Sequence, residues 1–190
     1  MDLNYTRRGF VAAALSASAT LVAARAGAQE ATEPETVRRN LAGFRSHRWE
    51  DHFDDLKGGV IIADTDARAV HYWSEDGRIA RIYPSSVPLS EELTRRGYTE
   101  VTRKVVGPSW APTPSMRERD PSLPARVPPG PDNPLGSHAL HLSWQYYRIH
   151  GTHDVRKIGR RSSSGCIGLY NENIAELFDL VEVGTKVRII

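Results

Sequence analysis

A histidine and a cysteine, each next to glycine, are the residues of this sequence best suited to covalent chemistry. Fifteen residues separate His150 from Cys166, which follows three serines and Gly165. A thiol with the free cysteine pKa of about 8.5 is mostly protonated at neutral pH, so a nucleophilic cysteine needs a nearby base or cation. Glycine beside each residue leaves room for a substrate backbone and leaves amide N–H groups for a developing oxyanion. The pattern favours a nucleophilic cysteine activated by a histidine.

The same residues allow two other interpretations. Cys166 is the only cysteine, so no internal disulfide can form, and a buried cysteine that packs as a small apolar side chain is one alternative. A zinc site built from His138-x-x-His141, His150-x-x-His153 and Cys166 is the other. On a strand, residues i and i+3 point to opposite faces, so His138 and His141 cannot readily share an ion. We expect no metal.

The two motifs resemble the active-site signature of the L,D-transpeptidases with a YkuD domain. The segments Asn133-Pro134-Leu135-Gly136 and Gly184-Thr185-Lys186-Val187 extend the resemblance, which covers residues 58–190. It implies an enzyme of the periplasmic proteobacterial type that cross-links peptidoglycan stem peptides through a cysteine thioester. Stem peptides would be both donor and acceptor, and no cofactor is needed for acyl transfer to a thiolate. We expect a monomer.

Carried over to this sequence, the resemblance implies a role for each site residue. Cys166 attacks the donor carbonyl, His150 takes the thiol proton, and the Gly151 carbonyl orients the imidazole. The N–H groups of Gly165 and Cys166 form the oxyanion hole. Substrate contacts are expected from Ser163, Ser164, Gly168, His138, Tyr147, Trp110 and Arg161. One of His138 and His141 should line the cleft.

Two positions differ from the commonest form of the signature. Ser164 stands where histidine is frequent, and Gly168 stands where arginine or asparagine usually follows the hydrophobic residue. A missing guanidinium removes an anchor for a substrate carboxylate, a charged contact typically worth about 1.5–3 kcal/mol. Gly168 and a proline-rich loop slightly favour 1→3 links, from L-Ala to diaminopimelate, over 3→3 links. A carboxypeptidase or hydrolase of stem peptides, and a wall-binding module with a degenerate site, remain alternatives.

The first 28 residues have the composition of an export signal. Arg7 and Arg8 precede an uncharged stretch from Val11 to Ala24, and Ala26-Gly27-Ala28 is a small-residue cleavage site. The pattern resembles a twin-arginine signal, although the general secretory route would also accept it. The uncharged stretch is shorter than the roughly 20 residues that span a bilayer, which disfavours an uncleaved anchor. We expect a periplasmic protein, cleaved near Ala28, without a stable membrane anchor.

The net charge of +2 also originates in this segment. Its three arginines and one aspartate account for the excess, because 25 basic and 23 acidic residues become 22 of each once it is removed. A basic surface for nucleic acid is therefore not expected. The 39% of hydrophobic residues suffices for one compact domain.

The elements that must position the site are mostly strands. Residues 29–57 form a polar extension that becomes helical toward 49–56, and residues 58–190 form the catalytic domain. A hairpin is expected around Asp76-Gly77. Apolar runs bounded by turn signals predict strands at 60–62, 70–73, 79–83, 98–106, 139–144, 146–150, 164–169 and 187–190.

Two helices are expected between these strands. Ser90 should cap a short helix that Gly97 ends, and Asn173 with Glu176 should cap a longer helix that Gly184 ends. The longer helix has an apolar face formed by Ile174, Leu177, Phe178 and Val181. The pattern predicts a mostly β fold, a sandwich or partly open barrel with one or two short helices and a proline-rich loop.

The proline-rich loop spans residues 108–134 and contains nine of the twelve prolines. This density forbids regular helix and disfavours central strands. The loop is either a passive surface connection or a semi-rigid flap beside the site, with Trp110 and Met116 as contact residues.

Overall fold

A computed structural model describes residues 45–190 of the chain. The expected export signal at 1–28 and the extension at 29–44 lie outside this range. Within the described residues no helix has the length and apolar composition needed to cross a membrane.

The described residues form nine strands and two α-helices. The strands are β1 (Val60–Asp64), β2 (Ala69–Trp73), β3 (Ala80–Pro88), β4 (Gly97–Val106), β5 (His138–Leu142), β6 (Arg148–His150), β7 (Arg161–Ser163), β8 (Ile167–Leu169) and β9 (Lys186–Ile189). The helices are α1 (Pro114–Arg119) and α2 (Asn171–Leu180). Single 3-10 turns lie at Trp49–Asp51, Glu91–Leu93 and Val155–Lys157.

The strands join into one sheet that closes on itself. Their spatial order is β2-β1-β9-β4-β5-β6-β8-β3-β7, and a further pairing between β2 and β3 completes the ring. The predicted mostly β fold is confirmed, with a barrel that is closed rather than partly open. Closure removes most free sheet edges and fixes the register of every strand except β7 against at least two neighbours, since β7 pairs with β3 alone.

The barrel core is built from the apolar runs that the sequence shows. All five residues of β1 are buried, and β1 lies between β2 and β9. The predicted hairpin is confirmed, since Ser74 and Ile79 close the turn that contains Gly77 and join β2 to β3.

Helix α2 covers the core next to β5 and β6, but its bounds differ from the prediction. Its predicted apolar face is confirmed, because Ile174, Leu177 and Val181 are fully buried. The helix begins at Asn171 rather than Asn173 and ends at Leu180, well before Gly184. The cap position is Tyr170, which makes no side-chain cap, and the Asn171 side chain bonds to other segments.

Three predictions near the first helix and the strands were wrong in their bounds. The turn after Ser90 is a single 3-10 turn without a side-chain cap, and Gly97 begins β4, where it pairs with Ile189. The strands expected at 139–144 and 146–150 are shortened by the turn between β5 and β6, where Tyr146 has a φ of 67°. The strand expected at 164–169 begins only at Ile167, since Ser164 to Cys166 form a turn, and β7 was not predicted.

The proline-rich segment is ordered by its own contacts. Contrary to the prediction, it contains a regular helix, α1. Proline is tolerated at the start of this helix, because an N–H in the first turn has no partner within the helix. The Thr113 hydroxyl caps the helix by accepting from the Met116 amide at 3.3 Å. The buried Asn133 amide donates at 2.8 Å to the carbonyls of both Pro108 and Pro128. An antiparallel bridge of two backbone hydrogen bonds joins Trp110 to Val127 and holds the two ends of the segment together.

The last residues of the extension, 49–56, pack against strand β1 of the barrel. Phe53 joins Val60 and Ile62 in a second apolar cluster, against which Trp49 and Leu56 pack. The helix expected near 49–56 is only the single 3-10 turn at Trp49–Asp51.

Candidate active site

The register between β6 and β8 brings the histidine and the cysteine to one face of the sheet. These strands are parallel, with Ile149 opposite Ile167 and His150 opposite Gly168. Side chains alternate along a strand, so the two buried isoleucines point into the core while His150 and Gly168 point to the other face. Cys166 is two residues before Gly168 and therefore shares that face.

His150 and Cys166 line one cavity of about 320 Å³. The proline-rich segment forms one wall, which supports the flap interpretation over the passive connection. The residues of that wall are Trp110, Ala111, Thr113, Met116, Leu123 and Pro134. The rest of the lining consists of Ser86, Leu135, Tyr146, Tyr147, Arg148, Thr152, His153, Lys157 and residues 162–165 before Cys166.

The imidazole of His150 is oriented by the next residue. Its Nδ1 lies 2.5 Å from the Gly151 carbonyl oxygen, which only accepts, so Nδ1 holds the proton and Nε2 is the free acceptor. Burial lowers the His150 pKa to about 4, with the hydrogen bond to Gly151 opposing this shift and the charges of Arg148 and Lys157 adding to it. The imidazole is therefore neutral at pH 7 and able to accept a proton.

Asn171 fixes the backbone that follows His150. Its Oδ1 accepts from the amides of Ser137 at 3.0 Å and Thr152 at 3.2 Å, and its Nδ2 donates to the Thr152 carbonyl at 2.9 Å. A Cβ on Gly151 would lie only 2.2 Å from the same Oδ1. Glycine at 151 therefore allows α2 to approach the loop whose carbonyl orients the imidazole.

The turn before Cys166 depends on a glycine and a serine. Gly165 has a φ of 133°, a conformation that other residues rarely adopt. The Ser163 hydroxyl donates to the Cys166 carbonyl at 2.5 Å and lies 3.4 Å from the Gly165 amide. Ser163 therefore shapes the turn itself. The Cys166 amide has no acceptor among residues 45–190, so it is available to an oxyanion.

The thiol of Cys166 does not bond to the imidazole in this structure. Its Sγ donates to the Tyr146 carbonyl at 3.3 Å. Burial raises the thiol pKa, and Arg148 opposes that rise. The site thus contains a neutral thiol and a neutral imidazole that line the same cavity.

The space that a side chain at position 168 would fill is occupied by a hydroxyl group from another strand. Ser86 lies opposite Gly168 in the pairing of β3 with β8. A Cβ at position 168 would lie 2.4 Å from the Ser86 Oγ and 3.9 Å from the His150 Cε1. Any side chain at 168, including the arginine or asparagine of the family signature, would require Ser86 to move.

The structure does not bring His138, His141 or Arg161 to this cavity. Ala139 lies opposite His150, so His138 points to the other face, where its ring packs 4.8 Å from the Phe178 ring. The expectation that His138 or His141 lines the cleft is therefore wrong. Arg161 also lies away from the cavity wall, where its guanidinium pairs with Glu91 at 3.0 Å.

The other predicted contact residues lie at or beside the cavity. Trp110, Tyr147, Ser163 and Ser164 line it, and the Ser164 hydroxyl lies 3.5 Å from Arg119 of α1. Whether they touch substrate stays a prediction.

Sequence reasoning missed Arg148, Ser86, Lys157 and Asn171. A period of two from His150 would have placed Arg148 on the same face. No local signal points to Ser86, because its position depends on the pairing of distant strands. Within residues 45–190, no group of three or more histidine, cysteine or acidic side chains could hold a metal ion.

The sequence model of the YkuD L,D-transpeptidase catalytic domain matches residues 58–189. The chain belongs to the L,D-transpeptidase family. An L,D-transpeptidase relative from Fuscovulum blasticum, named for the ATP synthase subunits region, is 56% identical over 190 residues, the whole of both chains. The Escherichia coli protein named L,D-transpeptidase ErfK/SrfK is 40% identical over 142 residues. That match covers 72% of this chain and 45% of the relative, so the chain spans less than half of its length.

Solved L,D-transpeptidases have a similar fold. One from Mycobacterium smegmatis superposes with a TM-score of 0.51 at 26% identity, over 70% of this chain and 58% of that one. One from Xylanimonas cellulosilytica superposes with a TM-score of 0.55 at 19% identity, over 78% and 66% of the two chains. The L,D-transpeptidase fold is therefore shared well beyond the close relatives.

Proposed function

We propose that this protein is a peptidoglycan L,D-transpeptidase that links stem peptides through a thioester on Cys166. The observation that supports this most is the shared cavity of Cys166 and His150, in which the Gly151 carbonyl leaves the imidazole Nε2 free as a proton acceptor. Membership of the L,D-transpeptidase family supports the same reaction class.

The first half of the reaction forms the acyl-enzyme. The Cys166 side chain rotates from the Tyr146 carbonyl toward His150, whose Nε2 takes the thiol proton. The sulfur attacks the donor carbonyl, and the Cys166 amide donates to the oxyanion together with the Gly165 amide, which exchanges its long bond to the Ser163 hydroxyl for this one. His150 then gives the proton to the leaving amine, and the thioester remains on the sulfur.

The second half transfers the acyl group. The side-chain amine of diaminopimelate in a neighbouring stem attacks the thioester carbonyl, and His150 removes a proton from that amine. The C–S bond breaks, and the thiolate of Cys166 takes the proton back. Water in place of the amine would give hydrolysis, which is the carboxypeptidase alternative.

Charge at the cavity suits an anionic peptide. The lining includes the cations of Arg148 and Lys157 and no carboxylate side chain. Lys157 lines the cavity, where it can bind a stem carboxylate in place of the guanidinium missing at Gly168. Because Gly168 lacks that anchor, we slightly favour 1→3 over 3→3 links. We also propose that the protein acts in the periplasm, as a monomer, after export.

The proposed function is tested on purified sacculi. The mature chain and its Cys166→Ala variant are incubated with sacculi, which are then digested, and the muropeptides are weighed. New dimers made only by the unsubstituted protein would support transpeptidation, with retained L-Ala bridges indicating 1→3 links and loss of a terminal D-Ala indicating 3→3 links. Shortened monomers without dimers would indicate a hydrolase instead.

A carbapenem separates an enzyme from a wall-binding module. A covalent adduct that is absent from Cys166→Ala would show a working nucleophile. Binding to sacculi without any adduct would indicate the module and overturn the proposal.

A further inference from the structure

Arg148 of β6 lies beside Cys166, the residue that precedes β8. Ile149 is opposite Ile167 in the parallel pairing of β6 with β8, and continuing this register one residue back places Arg148 next to Cys166. Adjacent strands are about 4.8 Å apart, and paired residues point to the same face. Arg148 therefore emerges next to the thiol and lines the same cavity.

Arg148 and Cys166 also share a hydrogen-bond acceptor. The Tyr146 carbonyl oxygen accepts from the Cys166 Sγ at 3.3 Å and lies 3.4 Å from the Arg148 Nη1. The Arg148 Nε is buried and has no partner within residues 45–190. An unpartnered N–H of a buried cation is costly, and a neighbouring anion would satisfy it. The contacts of Arg148 within residues 45–190 thus leave a buried donor unused on a side chain that lines the same cavity as the sulfur.

We propose that Arg148 stabilises the thiolate of Cys166 as its permanent cationic partner during acyl transfer. This deepens the proposed function, on which it rests, because it concerns the nucleophile of that reaction. When the S–H bond breaks, its electron pair stays on the sulfur and its proton goes to the His150 Nε2. Arg148 exchanges no proton. The thiolate can no longer donate to the Tyr146 carbonyl, and it gains the guanidinium instead.

The same charge also acts on His150. Arg148 lowers the His150 pKa, as do Lys157 and His141 from neighbouring segments. A cation beside the imidazolium makes it a stronger acid, which favours passing the proton on to the leaving amine. Tyr147 lines the same cavity as the sulfur, and burial raises its pKa, so it stays neutral at pH 7. Arg148 is the cation that lowers the thiol pKa.

The test is the pH profile of iodoacetamide alkylation of Cys166, the chain's only thiol. It is measured on the unsubstituted protein and on Arg148→Gln, Arg148→Met and Arg148→Lys. A nearby opposite charge typically moves a pKa by about one to three units, so both neutral variants should raise the apparent thiol pKa by that amount. The alkylation rate at pH 7 should fall about tenfold for each unit, because the thiolate fraction falls by that factor. Arg148→Lys should keep most of the rate.

The direction of the shift separates a charge from a packing role. If Arg148 only fills space, its loss would let water into the site, relieve the burial that raises the thiol pKa, and lower that pKa. An unchanged or lowered thiol pKa in folded Arg148→Gln or Arg148→Met would therefore overturn the inference. Arg103→Gln is the matched control, since Arg103 is exposed, contacts His141 at 3.2 Å and should leave the profile unchanged.

Alkylation requires no wall substrate, so the two proposals can fail separately. Inactivity on sacculi together with the expected alkylation shift would overturn the transpeptidase proposal and support the role of Arg148. Activity on sacculi without the shift would overturn only the role of Arg148.

Discussion

Asn171 binds Thr152 at two points, accepting from its amide at 3.2 Å and donating to its carbonyl at 2.9 Å. The first residue of α2 therefore fixes the loop that begins at His150. Because the Gly151 carbonyl in that loop orients the imidazole, the start of α2 also determines which nitrogen of His150 faces the cavity.

Asn171→Ala should destabilise the fold and slow acylation. It removes three hydrogen bonds to the backbone, each worth about 1 kcal/mol, so the free energy of unfolding should fall by about 2–3 kcal/mol. Urea unfolding at pH 7 and the rate of carbapenem acylation measure the two effects.

Asn173→Ala is the matched control for this change. Asn173 lies in the same helix and its side chain makes no hydrogen bond to another described residue, although the sequence pattern predicted it as the cap. It should cost less than about 0.5 kcal/mol, as ordinary surface substitutions do. Equal losses from the two variants would contradict the role given to Asn171.

Gly168→Ala should destabilise the protein through one close contact. The new Cβ would lie 2.4 Å from the Ser86 Oγ, and overpacking of this kind typically costs about 1–3 kcal/mol. Ser86→Ala removes the Oγ and leaves the Ser86 Cβ, 3.7 Å away, as an ordinary contact. The double variant should therefore be more stable than Gly168→Ala.

A double-mutant cycle measures this coupling by denaturant unfolding. Additive effects of the two substitutions would show that Ser86 does not occupy the space over Gly168.

The unfolding free energy should fall in acid because of His71. Burial lowers the His71 pKa from 6.5 to about 4. Between these two pH values the histidine is protonated in the unfolded chain and neutral in the folded protein. Stability is thus present above pH 6.5 and is lost as the pH falls toward 4. Between pH 7 and 5 this histidine should account for about 2 kcal/mol. Its surroundings are Asp64 and the ring of His47, which packs 5.0 Å away.

Unfolding of the unsubstituted protein and His71→Gln at both pH values checks this. His71→Gln is less stable at both pH values because it loses packing. The fall in its unfolding free energy from pH 7 to pH 5 should nevertheless be about 2 kcal/mol smaller than that of the unsubstituted protein. The same loss in both proteins would show that His71 is not the titrating group.

Carbapenem acylation should depend little on pH between 7 and 5. The His150 pKa is lowered to about 4, so the base stays mostly neutral throughout this range. For a histidine with an ordinary pKa of 6.5, the neutral fraction would fall about thirtyfold at pH 5. Quenching the reaction within seconds and weighing the protein by mass spectrometry gives the acylation rate before unfolding in acid interferes. A thirtyfold fall would mean that His150 is not shifted in the working enzyme.

Local patterns predicted the parts of the fold that depend on neighbours in the chain. The hairpin around Gly77, the apolar face of α2 and the strand positions follow from short-range periodicity and turn chemistry. Element bounds were less accurate, because tertiary contacts compete with local caps. The predicted cap Asn173 lies inside a helix that already begins at Asn171, whose side chain bonds to two distant segments, and Gly97 pairs with Ile189 instead of ending a helix.

The sequence by itself determined the chemistry: one thiol, one histidine at the family spacing, and glycines that allow the turn and the close approach of α2. Only the tertiary structure decided which side chains surround that pair. It placed Arg148 beside the sulfur, directed His138 to the opposite face, and filled the space over Gly168 with Ser86. These positions depend on the register between strands far apart in the chain, where a shift of one residue reverses every side chain, and local sequence does not contain that register.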